Sequence, residues 1–226
     1  MRAISPQSIS PGPVISRIWE IYRDQARVLI PLAAVLFALQ FLVLLLVPGA
    51  SIAIAILFWA LSILYQGMVV ELVQDLEQGR RDHSVADLVR SVEPVLLQLI
   101  AVSIIYAVGV GIGFILIIIP GLILLVIWSV VAPVTVLERP GVFAAFGRSR
   151  ELVRGNGWNV FAVIVIVGLA VIIISLVVGA AAVGLGTVGR AVVDWVVASA
   201  LTPVSALAAA VLYFALGGTG APGAIY

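Results

Sequence analysis

The chain has no cysteine, no lysine and a single histidine, His83. Without cysteine there is no disulfide, no thiol nucleophile and no thiolate metal site. A lone histidine excludes any site built from two. Charge is scarce as well. Charged residues make up 10% of the 226, and the net charge is +1, too small a surplus to recruit nucleic acid. Soluble domains carry about 25% charged and about 45–50% apolar residues. Here 63% are hydrophobic and mean hydropathy is +1.28. Such a chain is built for lipid, and its store of catalytic groups is nearly empty.

What is present in abundance is long apolar runs. A hydrocarbon core about 30 Å thick takes roughly 20 helical residues. Residues 28–47 and 51–70 are two such runs. From Val95 to Leu137 the chain carries no charge for 43 residues, about 65 Å as one helix, so it must fold back. Pro120-Gly121 is the expected hinge, giving spans 95–119 and 121–137. Residues 158–183 and 191–216 complete the set. The expected fold class is an all-α integral membrane protein of six transmembrane helices, a single polytopic domain over 1–226. Residues 1–27 hold no apolar core of a signal peptide.

The arginines set the orientation. Arg2, Arg17, Arg23 and Arg27 precede the first span. Arg80, Arg81 and Arg90 lie between the second and third, and Arg139, Arg148, Arg150 and Arg154 between the fourth and fifth. The alternate connections hold only Arg190. Both termini are therefore expected in the cytoplasm, in a multi-pass protein of the cell (inner) membrane.

Short amphipathic helices are expected at that cytoplasmic face, over about 14–27, 84–93 and 141–154. In the last, Val142, Phe143, Phe146 and Val153 share a face, with Arg148, Arg150, Glu151 and Arg154 mostly elsewhere. That pattern fits a helix lying in the headgroup layer, rings down and arginines among anionic lipid phosphates. At an offset of 131 residues Arg17, Glu20 and Arg23 fall on Arg148, Glu151 and Arg154. Either a parallel duplication or the common demands on juxtamembrane helices explains the match. Ser84 and Asp87 have the spacing of a capping box. The stretch 71–94 is net −3 and the two basic segments are +2 each, so docking of the acidic stretch between them is one expectation and separate solvation the other.

The residues "IIIPGLILLVIWSVVAPVTVLERPGVFAAFGRSRELVRGNGW" resemble a bacterial and archaeal membrane domain named after glycerophosphoryl diester phosphodiesterases, and related six-span inner-membrane proteins. The likeness lies in Pro120-Gly121, Trp128-Ser129, Ala132-Pro133, Glu138, Ala144-Ala145, Arg148-Ser149, Glu151-Leu152 and Arg154-Gly155. It departs at Arg150 and Val153, where the family more often has Trp and Thr. Beyond some forty residues it rests on hydropathy and on Tyr213. The hydrolase activity of that family belongs to a separate soluble barrel, so the resemblance implies a membrane module without that activity.

Candidate site residues are few. Glu71 and Glu138 are placed at the cytoplasmic ends of spans two and four. They form either a paired carboxylate mouth or solvated ends that partner Arg148, Arg150, Glu151 and Arg154. Gln40, Gln66 and Gln98 read as glue between helices, and Asp194 as the local partner of Arg190. Gly109–Gly113 reads as a close-packing segment, as does Gly179–Gly186. No nucleophile–base pair, metal spacing or cofactor motif is present, so a non-enzymatic scaffold, accessory subunit or envelope-homeostasis factor is expected, with a membrane-protein partner. The alternative is a transporter or permease for a lipid or small apolar or neutral solute, with Pro133 and Pro203 marking broken helices.

Overall fold

Two of the chain's prolines, Pro120 and Pro133, decide where the long apolar runs stop or break. A proline lacks the N–H that would bond the carbonyl four residues back, and its ring crowds that carbonyl. Pro120 opposes Leu116, Pro133 opposes Ser129 and Pro31 opposes Arg27. A computed structural model of the chain describes residues 9–46, 52–79 and 85–218, and the regular structure among them is entirely helical.

Helix α1 spans Pro11–Leu46 and α2 Ile52–Glu77. Helix α3, Val85–Val92, runs through a short 3-10 turn into α4, Leu96–Leu116. Then come α5, Ile118–Ile127, and α6, Val131–Leu137. Helix α7 is Val142–Val153, α8 Gly157–Ala181 and α9 Gly186–Ala215.

Among the described residues five stretches are long and apolar enough to cross a membrane: Ile56–Glu77, Ala86–Leu116, Ile118–Leu137, Gly157–Ala181 and Val188–Ala215. They point to a multi-pass membrane protein. The sixth expected run, 28–47, is the second half of α1, and its end falls outside the described residues. The surface agrees with a lipid surround. Ile172, Ile173, Ile174, Leu176 and Val177 on α8, and Ile115 through Ile119 at the α4–α5 tip, are all exposed.

Two boundaries differ from the sequence expectation. The expected break between an interfacial helix 14–27 and a span is absent, because α1 runs unbroken through Arg27 and Pro31. Its 36 residues make a rod of about 54 Å, longer than a bilayer core. Nor does the second hairpin turn at Pro120-Gly121. Helix α4 stops at Leu116, the residue that Pro120 leaves without a donor, and Ile117 alone is extended (φ −159°, ψ 143°). Pro120 sits in the first turn of α5, where its missing N–H is harmless. Gly121 meets α4 so closely that a Cβ there would lie 2.8 Å from the Phe114 nitrogen, and one on Gly113 2.9 Å from Gly121 Cα. The close-packing reading therefore holds for Gly109 and Gly113. It does not hold for Gly179 or Gly184, where an added Cβ meets nothing within 4 Å.

The core lies where α1, α2, α6 and α9 meet, around Leu29, Tyr65, Leu72, Val134, Leu207 and Tyr213. Aromatic polar tips fasten the helices. Tyr22 donates to Ala200 O at 3.1 Å, Tyr65 to Leu29 O at 3.2 Å, and Trp195 Nε1 to Ala34 O at 2.9 Å. Burial raises the Tyr22 hydroxyl pKa. Ser62, Thr135, Ser199 and Ser205 instead bond carbonyls of their own helices. Glue between helices thus comes from tyrosine, tryptophan and one serine, described below. Of the glutamines, the Gln98 amide nitrogen is buried with no hydrogen-bond partner among the described residues, and the Gln40 side chain lies outside them.

Candidate functional site: a cavity at the broken fourth span

The fourth apolar stretch, Ile118–Leu137, is interrupted in its middle. Helix α5 ends at Ile127 and α6 starts at Val131, with Trp128 and Val130 near φ −106° and −109° and ψ close to 10°. Pro133 explains the place, since Ser129 is the residue whose carbonyl it opposes. Of the two prolines expected to break a span, Pro133 does so. Pro203 lies inside a continuous α9.

A break inside an apolar layer leaves carbonyls that need donors. One is supplied by α7: the Ser149 hydroxyl, fully buried, donates to Ile127 O at 2.9 Å. The Trp128 indole is clamped beside it. Phe146 of α7 meets it edge-on at 4.8 Å, Tyr106 of α4 lies at 6.5 Å, and a Cβ on Gly109 would lie 2.5 Å from its ring.

One face of helix α7 is therefore turned onto protein. Ala145, Phe146, Ser149, Leu152 and Val153 are buried against α4, α5 and α6, while Phe143 points away, 81% exposed. The sequence placed Phe143 and Phe146 on one face. They sit three residues apart, and the deeper packing demand at the break selects Phe146.

Against this break opens a cavity of about 490 Å3 among α2, α4, α6, α8 and α9. Most of its wall is aliphatic. Its polar or polar-tipped lining residues are Trp59, Ser62, Gln66, Ser103, Tyr106, Trp128, Ser129 and Ser205. The Ser129 hydroxyl is buried and finds no hydrogen-bond partner among the described residues. Cavities of roughly 300–1,000 Å3 with a few placed polar groups are the usual form of a small-molecule site.

An ion-pair layer closes the arginine-rich end. Glu138, after α6, accepts from Arg148 Nε at 2.9 Å and from the Tyr213 hydroxyl at 2.9 Å. Arg148 also lies 3.6 Å from Glu151. The Glu138 hydrogen bond outweighs burial and holds the Arg148 guanidinium above its ordinary pKa. In α1, Arg17 reaches Glu77 at 2.7 Å and Glu20 at 2.9 Å. Burial pulls its pKa down, but bonds to Glu77 and then Glu20 win and raise it. Each Arg-x-x-Glu pair thus touches a carboxylate at the end of a membrane-length helix. The likeness stops there, since α1 is continuous and α7 and α8 part at Gly155 (φ 88°).

The sequence candidates divide accordingly. Glu138, Arg148 and Glu151 come together. Arg150 and Arg154 are exposed. Glu71 stands half-buried inside α2, six residues before the helix end, so Glu77 and not Glu71 closes that helix. The acidic stretch meets the first basic segment through Glu77–Arg17, and Arg139 donates to Ser91 O at 3.1 Å. His83 and Ser84 lie outside the described residues. Ser149, Ser129, Gly109 and Tyr213 carry the site and were not singled out for it. The apolar match of Trp128, Phe146 and Gly109 is a contact across three helices, which no local pattern displays. Among the described residues no three histidine or acidic side chains gather as a metal cage.

No protein-family model, curated protein or solved structure matches the chain.

Proposed function

We propose that this is a six-span protein of the cell membrane, both termini cytoplasmic, that holds a lipid or a small apolar or neutral solute in the cavity at its broken fourth span. One observation carries the reading: the helix break, the buried Ser129 hydroxyl with no partner among the described residues and the cavity coincide. Discontinuous membrane helices serve as binding sites in repeat-built transporters because their freed backbone groups face a cavity. The arginine distribution supports the orientation. The short match around Trp128-Ser129 and Arg148-Ser149 supports kinship with the membrane domains named above.

The site works by exclusion and shape. Aliphatic walls take an apolar body. Ser103 and Tyr106 offer hydroxyls to at most a few polar atoms. Among the described residues no set of metal-holding side chains gathers there, and the role proposed is binding or movement without bond chemistry. Flux of labelled lipids and neutral solutes in proteoliposomes tests this, with Ala132→Phe filling the cavity as control. Transfer that falls to the protein-free rate in the variant supports the reading. Equal transfer in both sinks it.

The scaffold or accessory-subunit reading keeps one supporting observation. Phe143 and Trp158, 81% and 84% exposed, flank the basic face, where they suit anionic lipid or a neighbouring membrane protein.

A further inference from the structure

A second cavity, about 300 Å3, lies between α8 and α9 and is lined by Ser175, Asp194, Thr202 and Ser205 among aliphatic residues. It adjoins the first: Val171 and Ser205 line both. Asp194 is the one charged side chain among the residues lining either cavity. The sequence pairs it with Arg190 one turn earlier, yet no ion pair joins them among the described residues. Asp194 is exposed at the rim of this cavity, where a carboxylate draws cations and repels anions.

The rest of the lining offers acceptors. Ser205 already gives its proton to Thr202 O at 3.3 Å, leaving its lone pairs. No arginine lines either space, so a phosphate or carboxylate head finds no counter-charge.

We propose that the adjoining cavities form one site for an amphiphile with a positively charged amine head. The ammonium meets Asp194, and the apolar tail passes Ser205 to lie against Trp128. This rests on the reading of the first cavity as a ligand site and adds the chemistry of the head. An ammonium with three N–H donors matches a carboxylate and nearby hydroxyls, and a charge-assisted bond is about twice as strong as a neutral one.

The test is photo-crosslinking in nanodiscs with two probes of equal chain length, a diazirine-bearing alkyl amine and the matching alcohol. Labelled peptides are mapped by mass spectrometry. Labelling at lipid-facing Leu97 and Ile115 gives the reference for membrane partition. The unmodified chain is expected to show cavity labelling by the amine about threefold above the alcohol. Asp194→Asn brings the amine down to the alcohol's level, and Asp194→Glu keeps the preference. Equal cavity labelling by both probes in the unmodified chain, or a preference that survives Asp194→Asn, overturns the head assignment while the cavity stands as a site. If neither probe exceeds the lipid-facing reference, the cavity reading fails with it. The comparison in the unmodified chain requires no variant to fold.

Discussion

The Ser149 hydroxyl reaches the Ile127 carbonyl at 2.9 Å, so a side chain of the arginine-bearing α7 closes the open end of a helix in the apolar layer. The pair ties the basic face to the cavity wall. Ser149→Ala strips the carbonyl of its donor where water is scarce. A loss of about 1–3 kcal/mol is expected, seen as a lower midpoint in thermal unfolding in detergent. An unchanged midpoint means that the Ile127 carbonyl finds another donor.

Glu138 couples three elements through Arg148 and Tyr213. Tyr213→Phe removes one charge-assisted bond and is expected to cost about 1–3 kcal/mol. A double-mutant cycle over Glu138→Gln and Arg148→Gln should return a coupling of about 0.5–3 kcal/mol. Arg150→Gln and Arg154→Gln, at exposed positions, should stay within about 0.5 kcal/mol of the parent. Additive effects at 138 and 148 show that the two side chains act apart.

Glycines in one short run have unequal duties. A methyl at position 113 meets Gly121 backbone at 2.9 Å and cannot be absorbed by a side-chain shift, while one at 111 meets nothing. Gly113→Ala is expected to destabilise by about 1–3 kcal/mol and Gly111→Ala hardly at all, by thermal unfolding of each variant. Similar losses at both positions contradict the close approach of α4 and α5.

How much of this was legible beforehand follows the range of the interactions. Hydropathy depends on composition, so the membrane-length stretches are readable, along with the gathering of arginines at one end. Proline acts on a residue four positions back, so Pro120 and Pro133 mark the breaks, at Ile117 and Trp128–Val130, a few residues downstream of where the chain turns. Pro31 and Pro203 obey the same rule without ending a helix, because packing of α1 on α9 holds both rods. The buried face of α7 was legible apart from Phe143, but what it packs against was not. Its amphipathic pattern fits lipid or protein alike, and only Ser149 on Ile127 and Phe146 on Trp128 decide between them. Those partners lie 22 and 18 residues away in the chain, beyond any periodicity.

Orientation is open to direct measurement because the chain has no cysteine of its own. Arg150→Cys and Arg190→Cys, each as a single thiol, should react with an impermeant maleimide from opposite sides, position 150 only after access to the cytoplasmic face. Labelling of both from one side contradicts the six-span topology.

The central claim, that the cavity beside Trp128 and Ser129 holds a ligand, is tested most directly by extracting the protein from its native membrane into nanodiscs. Bound lipids and small molecules are then compared by mass spectrometry between the unmodified chain and Ala132→Phe. One apolar or amine-headed species enriched over the bulk membrane, and lost from the variant, is the expected result. Identical, bulk-like composition in both, with a stoichiometric protein partner in its place, contradicts a ligand site and makes the chain an accessory subunit.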